Sequence, residues 1–263
     1  MRFTKMQGLG NDYLYVASDH IPDNAAELSV KLSDRHFGAG ADGMIWILPS
    51  SVADFKMRIF NADGSEAEMC GNGIRCVGKY VFEKGLTDYS ELLIETLSGI
   101  RKLRLSVDDG KVREVSVDMG TPIVGAPIIL SASGDCYRLI PVSVGNPHAV
   151  SFCENAEAVP ITKTGPVIER SELFPGGVNA EFVTLLGKNR LRMRVWERGS
   201  GVTLACGTGA VASAAAAVSL GMCDTDADIT VELDGGTLRV RITDNGAIMT
   251  GPAEFVYEGD VSV

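Results

Sequence analysis

The chain of 263 residues reads as an α+β protein of two similar lobes, each mainly sheet with one principal helix. Three observations predict this. First, a shift of 136 residues lays Cys70-Gly-Asn-Gly on Cys206-Gly-Thr-Gly, and Met57-Arg-Ile-Phe-Asn61 on Met193-Arg-Val-Trp-Glu197. Second, Gly85 falls on Gly221 at the same shift, so each copy runs strand, loop, Cys-Gly-x-Gly, helix and glycine stop. Third, most of the remaining chain is short β-rich runs separated by turn signals. With offsets of 135 and 137, Gly10-Asn11 falls on Gly145-Asn146, and Phe37 and Asp42 on Phe174 and Asn179. Such drift is what loop insertions and deletions leave in a duplicated unit.

The strands expected from alternation and β-propensity include Leu92–Leu97, Arg101–Val107, Val112–Asp118, Tyr137–Val144, Ala180–Leu185, Leu191–Trp196, Ile229–Leu233 and Leu238–Thr243. Asp108-Asp109-Gly110, Asp234-Gly235-Gly236 and Asp244-Asn245-Gly246 punctuate them. One helix starts at each Cys-Gly-x-Gly motif. Ile74, Val77, Val81 and Phe82 form a buried face on the first, and the alanine run 212–217 makes the second small on every side and suited to tight enclosure. Lesser helices are expected over Ala25–His36 and Gly165–Leu173. The seam falls near Met119-Gly-Thr-Pro122, giving an N-terminal lobe over 1–118 with the first cysteine and a C-terminal lobe over 119–263 with the second.

Composition narrows the function. Hydrophobic residues at 45% and charged residues at 22% describe a globular chain. A net charge of −10 with no basic run argues against nucleic acid, so a small-molecule partner is expected. No apolar segment is long enough to span a bilayer and the first sixteen residues hold no signal-like core, so a cytoplasmic location is expected and no membrane partner. Six cysteines without an export signal read as reduced thiols. Cys70 and Cys76 are poorly spaced for a metal and the three histidines are scattered, so no metal site is expected.

A helix start exposes unpaired amides and the positive end of the dipole, and glycines let an anion approach them. Gly71-Asn72-Gly73 and Gly207-Thr208-Gly209 therefore look like two carboxylate cradles, one beside each thiol. The same field draws a thiol from about 8.5 toward ~3.5–7.5, so one cysteine is expected to ionise near neutrality. A thiolate and a thiol on opposite sides of a Cα would remove a proton from one face and deliver one to the other, inverting the centre. Neither motif carries the Lys-Ser/Thr of a P-loop or the Gly-x-Gly-x-x-Gly of a dinucleotide site. His148, in the repeated Gly-Asn context, and Glu197 with Arg198 ahead of the second thiol are further candidates. On an extended segment adjacent side chains diverge, so only a bend would bring both Glu197 and Arg198 to one ligand.

On these residues the chain resembles the diaminopimelate epimerases, among the pyridoxal-phosphate-independent amino-acid racemases. The similarity runs through Met6-Gln-Gly-Leu-Gly-Asn-Asp12, Arg35-His-Phe-Gly-Ala-Gly-Ala-Asp-Gly43, Asn61 to Cys76, Gly145-Asn-Pro-His148, Asn179-Ala-Glu-Phe182 and Trp196 to Gly209. Related proline racemases carry Cys-Gly-His at the first thiol, and phenazine-type isomerases lack the thiol pair. The resemblance implies two pseudo-symmetric lobes, each a mainly antiparallel sheet or barrel wrapped around a central helix, with the C-terminal tail packing back on the first lobe. It implies Cys70 and Cys206 as proton-transfer residues assisted by His148 and Glu197, and Gly71, Asn72, Gly207 and Thr208 on the reacting carboxylate. It places Asn11, Asn61, Asn146, Asn179 and Arg198 along the rest of the substrate, with Arg198 forking onto a distal carboxylate. It implies no cofactor, and a homodimer. Val202, Val211 and Ser171 depart from the pattern, where glutamate, cysteine and histidine respectively are frequent. The activity implied is interconversion of LL- and meso-2,6-diaminopimelate, in the supply of lysine and cell-wall precursor. Racemisation of another amino acid such as histidine, and a dithiol/disulfide redox or binding module, are the alternatives.

Overall fold

The computed structural model describes residues 1–262. The chain divides into two compact units, one comprising Met1–Val117 with the segment from Gly251 onward, the other Asp118–Thr250. In the first, β1 (Arg2–Gly8) and β2 (Asn11–Ala17) form a hairpin closed by Leu9 and Gly10, both at positive φ. A two-residue loop of that geometry matches the strand twist. After α1 (Ala25–Ser33), β3 (Gly43–Leu48) lies parallel to β2, and β4 (Phe55–Asn61) antiparallel to β3. The short β5 (Glu66–Ala67) leads into α2 (Gly71–Glu83). β6 (Glu91–Thr96) then runs parallel to β4, followed by the antiparallel β7 (Gly99–Asp108) and β8 (Lys111–Asp118).

The second unit opens with β9 (Ile123–Val124), β10 (Ile128–Ala132), β11 (Asp135–Ser143) and β12 (Pro147–Phe152), all antiparallel pairings. α3 (Ile161–Glu169) precedes β13 (Asn179–Gly187), which is parallel to β12, and β14 (Arg190–Glu197), antiparallel to β13. The short β15 (Gly201–Val202) leads into α4 (Gly207–Ser219), then β16 (Asp228–Leu233), β17 (Gly236–Thr243) and β18 (Gly246–Gly251). The last strand, β19 (Glu254–Asp260), pairs with β1, so the tail closes the sheet of the first unit.

The duplication is written into the strand registers. Tyr15 pairs with Ile45 and Ile45 with Ile59 in one unit, and Val150 pairs with Glu181 and Glu181 with Val195 in the other. The pairs Phe60 with Glu66 and Trp196 with Val202 repeat in the same way, at the hairpins entering the two main helices. Both helices are cores of their units. Along α2, Gly71 to Lys79 and Val81 are buried, so the helix is enclosed nearly all round and only Phe82 of the expected face is partly open. α4 is buried from Gly209 to Ala217 against β11, β12, β13, β14, β16 and β17. Alanine lets strands approach that closely on every side, as expected from its sequence.

The α+β class with mainly antiparallel sheets stands, the parallel pairings being β2–β3, β4–β6, β12–β13 and β14–β16. Two details are corrected. α1 ends at Ser33 rather than His36, because Asp34 turns extended and its carboxylate accepts the amides of His36 (2.7 Å) and Phe37 (2.8 Å). Those amides are lost to the helix. α3 covers Ile161–Glu169 rather than Gly165–Leu173. Gly165 lies inside the helix, where a Cβ would be 2.4 Å from Cγ of Trp196, so this glycine makes room for the indole and does not mark a helix start. Ser171 Oγ accepts the amide of Leu173 and terminates the segment in a turn.

Candidate active site

In the first unit Cys70 is extended and caps α2, its sulfur accepting the amide of Gly73 at 3.3 Å. The thiol donates to Oδ1 of Asn11 at 3.3 Å. Asn11 cannot turn freely, since its Nδ2 donates to Asp42 at 2.8 Å, and Arg35 bridges Asp42 and Asp12. Asn61, at the end of β4, accepts from Tyr13 Oη and donates to Ser65. Asn72 is buried, with its Oδ1 accepting from Nη1 of Arg75 at 3.0 Å. Arg75 is wholly buried and also donates to the carbonyls of Gly71 and Pro252, so a cation lies beneath the start of α2.

In the second unit Cys206 caps α4 in the same way, accepting the amide of Gly209 at 3.4 Å. The surroundings differ. Cys206 is buried, and a hydrogen-bonded chain leads away from it through Thr208 Oγ1 (3.5 Å), Asn146 Nδ2 (3.3 Å from Thr208) and Asn146 Oδ1 to His148 Nε2 (3.0 Å). His148 Nδ1 meets Oε1 of Glu181 at 2.6 Å, both side chains fully buried. Asn179 is also committed to the frame, donating to the carbonyl of Pro147 and accepting the amide of Arg198.

β14 ends at Glu197 and the chain turns, but the two adjacent side chains still part company. Glu197 accepts from Thr203 and lies against Cys206, and burial, followed by the nearby Glu181 charge, holds its carboxyl above the usual range. Arg198 is exposed and donates to the carbonyl of Gly176 at 3.0 Å. Its aliphatic stem crosses Gly177, whose φ of 81° and missing Cβ leave room for it.

Two findings alter the picture drawn from sequence. Cys206 is not the thiol that a helix start would ionise: burial first, then the charges of Glu197 and Glu181, push it well above the ordinary thiol value. Desolvation and like charge outweigh the dipole and the Thr208 and Gly209 hydrogen bonds. The second is Glu181, absent from the residues singled out by motif although it lies inside Asn179-Ala-Glu-Phe182. Asn179 to Val183 are all buried, so no alternation marks Glu181; a carboxylate in such an apolar run was the available signal.

Of the departures, Val202 is exposed on β15, Val211 is buried within α4, and Ser171 sits in the turn after α3. Among the described residues no group of three or more His, Cys, Asp or Glu is placed to hold a metal ion. No helix among them is long and apolar enough to cross a membrane.

The architecture is that of the phenazine-biosynthesis and proline-racemase type of fold. A Bacillus anthracis phenazine biosynthesis protein of the PhzF family superposes with a TM-score of 0.81 at 17% identity, covering 100% of this chain and 99% of its own. A hydroxyproline epimerase from Agrobacterium vitis gives 0.75 at 18% identity, covering 99% and 90%. At that identity they establish the fold alone. The sequence profile named diaminopimelate epimerase matches residues 3–124 and 140–256. Proteins named diaminopimelate epimerase from Methanococcus maripaludis (51% identical, 100% of each chain), Acetivibrio thermocellus (50%, 100% and 99%) and Bacillus licheniformis (48%, 98% and 97%) align along essentially the whole length. The chain belongs to the diaminopimelate epimerase family.

Proposed function

We propose that this enzyme interconverts LL- and meso-2,6-diaminopimelate without a cofactor, with Cys70 and Cys206 as its proton-transfer residues. The reading rests on family membership and on one structural observation: each unit presents a single cysteine as the cap of its buried helix, in a register the duplication preserves. Such a start offers amides to an anion, here the carboxylate of the reacting centre, whose negative charge grows as the α-proton leaves. In one direction a thiolate takes that proton and becomes a thiol, while the other thiol gives its proton to the opposite face and becomes a thiolate. Atoms and charge balance, and the reverse reaction exchanges the roles.

The environments suit unequal starting roles. Cys206, buried beside two carboxylates, favours the protonated form and serves as the acid. Cys70, half-buried and within the field of the buried Arg75 cation, serves as the base. His148 and Glu197 assist Cys206. Gly71, Asn72, Gly207 and Thr208 supply the carboxylate cradles, Asn11, Asn61, Asn146 and Asn179 frame the pocket, and Arg198 takes the distal carboxylate. The lobe boundary near residue 118 and a homodimeric, cytoplasmic enzyme belong to the same proposal.

The test is exchange of the substrate α-proton with deuterated solvent, without added cofactor and under reducing conditions. Cys70→Ala and Cys206→Ala should each abolish epimerisation. Full exchange and turnover in both variants would overturn the assignment, and turnover with histidine but not diaminopimelate would replace the substrate. Activity unchanged after oxidation to a Cys70–Cys206 disulfide would remove both sulfurs from the mechanism.

A further inference from the structure

Matched by strand register, the two copies differ in kind beneath the starts of their main helices. The second glycine of each motif faces a residue on the neighbouring central strand: a Cβ at Gly73 would lie 2.6 Å from Cδ1 of Ile45, and a Cβ at Gly209 would lie 2.8 Å from Oε1 of Glu181. Ile45 and Glu181 are repeat mates, each pairing with equivalent residues on both flanking strands. One helix start therefore rests on a hydrocarbon and the other on a carboxylate.

That carboxylate is fully buried, at 0% exposure. One oxygen is held by His148 Nδ1, while Oε2 has no hydrogen-bond partner among the described residues. Burying such a group is costly, and an isoleucine serves at the same place in the other copy, so packing does not require it. The notch at Gly209 brings it within reach of the first turn of α4, where Cys206 is the cap.

We propose that Glu181 is a positioning residue for the reaction: through its charge it keeps Cys206 in the protonated, proton-donating form, and through His148 it anchors the Asn146–Thr208 chain that ends on that sulfur. The groups of this unit that act on Cys206 are Glu197 on β14 and Glu181 on β13, with Thr208 and the Gly209 amide on α4; His148 on β12 faces Glu181. Glu197 alone would supply one carboxylate. Glu181 adds a second, and since the repeat mates of both, Asn61 and Ile45, carry no charge, the pair is confined to the second thiol. The inference rests on Cys206 being a proton-transfer residue.

The experiment follows the Cβ resonance of [3-13C]cysteine in the full chain against pH, with Cys206→Ser and Cys70→Ser used for assignment. In the unsubstituted protein Cys206 should titrate above the ordinary thiol range of about 8.5. Titration at or below that value would overturn the proposal without any variant. In Glu181→Gln the Cys206 midpoint should fall by roughly 1–2 pH units, a ~10–100-fold rise in its acid dissociation constant, while Cys70 stays in place. Glu181→Asp keeps the charge and should leave Cys206 close to its original midpoint. An unmoved Cys206 in a Gln variant whose Cys70 titrates normally refutes the charge role. The titration uses no substrate, so its failure is distinguishable from failure of the epimerase reading, which the exchange assay decides.

Discussion

The His148–Glu181 pair offers a sharp energetic test. Both side chains are 0% exposed and 2.6 Å apart. His148→Ala removes the partner of one carboxylate oxygen and leaves the other as it was, without a hydrogen-bond partner among the described residues. Breaking a buried pair from one side costs about 3–5 kcal/mol, because the survivor is a desolvated charge. At an m of ~2 kcal/mol/M this lowers the urea midpoint by about 1.5–2.5 M. The orphaned carboxylate can avoid the cost by folding protonated, which fixes the sign of the pH dependence. Its folded form then binds a proton that the unfolded chain releases above about 4.3, so stability is greatest below that value and declines as pH rises, by up to about 1.4 kcal/mol per unit. Between pH 5 and 7 the variant should lose about 2–3 kcal/mol more than the parent. Glu197, also held above the usual range by burial, contributes a slope of the same sign in both proteins. Trp46 and Trp196 lie one in each unit, and a Trp46→Phe background leaves Trp196 fluorescence to report the second unit alone. A loss under about 1 kcal/mol at pH 7, or the same loss at pH 5 and pH 7, would refute the reasoning.

Two further outcomes follow from single contacts. Gly165→Ala sets a methyl 2.4 Å from Cγ of Trp196, backed by the ring and Cβ at 2.6–2.7 Å. Overpacking of α3 on β14 should cost about 1–3 kcal/mol despite the better helix propensity of alanine, read as a lower urea midpoint of the Trp196 signal. A neutral or stabilising effect would mean the helix moves away freely. Arg198→Lys keeps the charge but loses the planar fork, so KM for diaminopimelate should rise about 10–100-fold with kcat changed much less. An unchanged KM would take Arg198 off the distal carboxylate.

The duplication was legible in the sequence because it survives as spacing: two cysteines, two Gly-x-Gly turns and two glycine stops at one offset place a thiol at the start of each main helix. The strand list was legible too, since half-buried strands alternate and turn residues punctuate them. Where punctuation misleads, boundaries slipped: Gly165-Pro166 resembles a helix start but serves as the seat of Trp196, and the helix begins four residues earlier. Glu181 stayed hidden because β13 is buried on both faces, and a lone acidic residue in such a run has no period to betray it. The resting state of Cys206 was hidden for the same reason. A helix start can be read along the chain and predicts a lowered thiol; what raises this one is enclosure and two carboxylates on neighbouring strands, Glu197 nine residues away in sequence and Glu181 twenty-five. Sequence by itself determined where the thiols are. Only the tertiary structure decided which way the Cys206 thiol is pushed, because desolvation and Coulomb interactions depend on distance through space, which the order of residues does not contain.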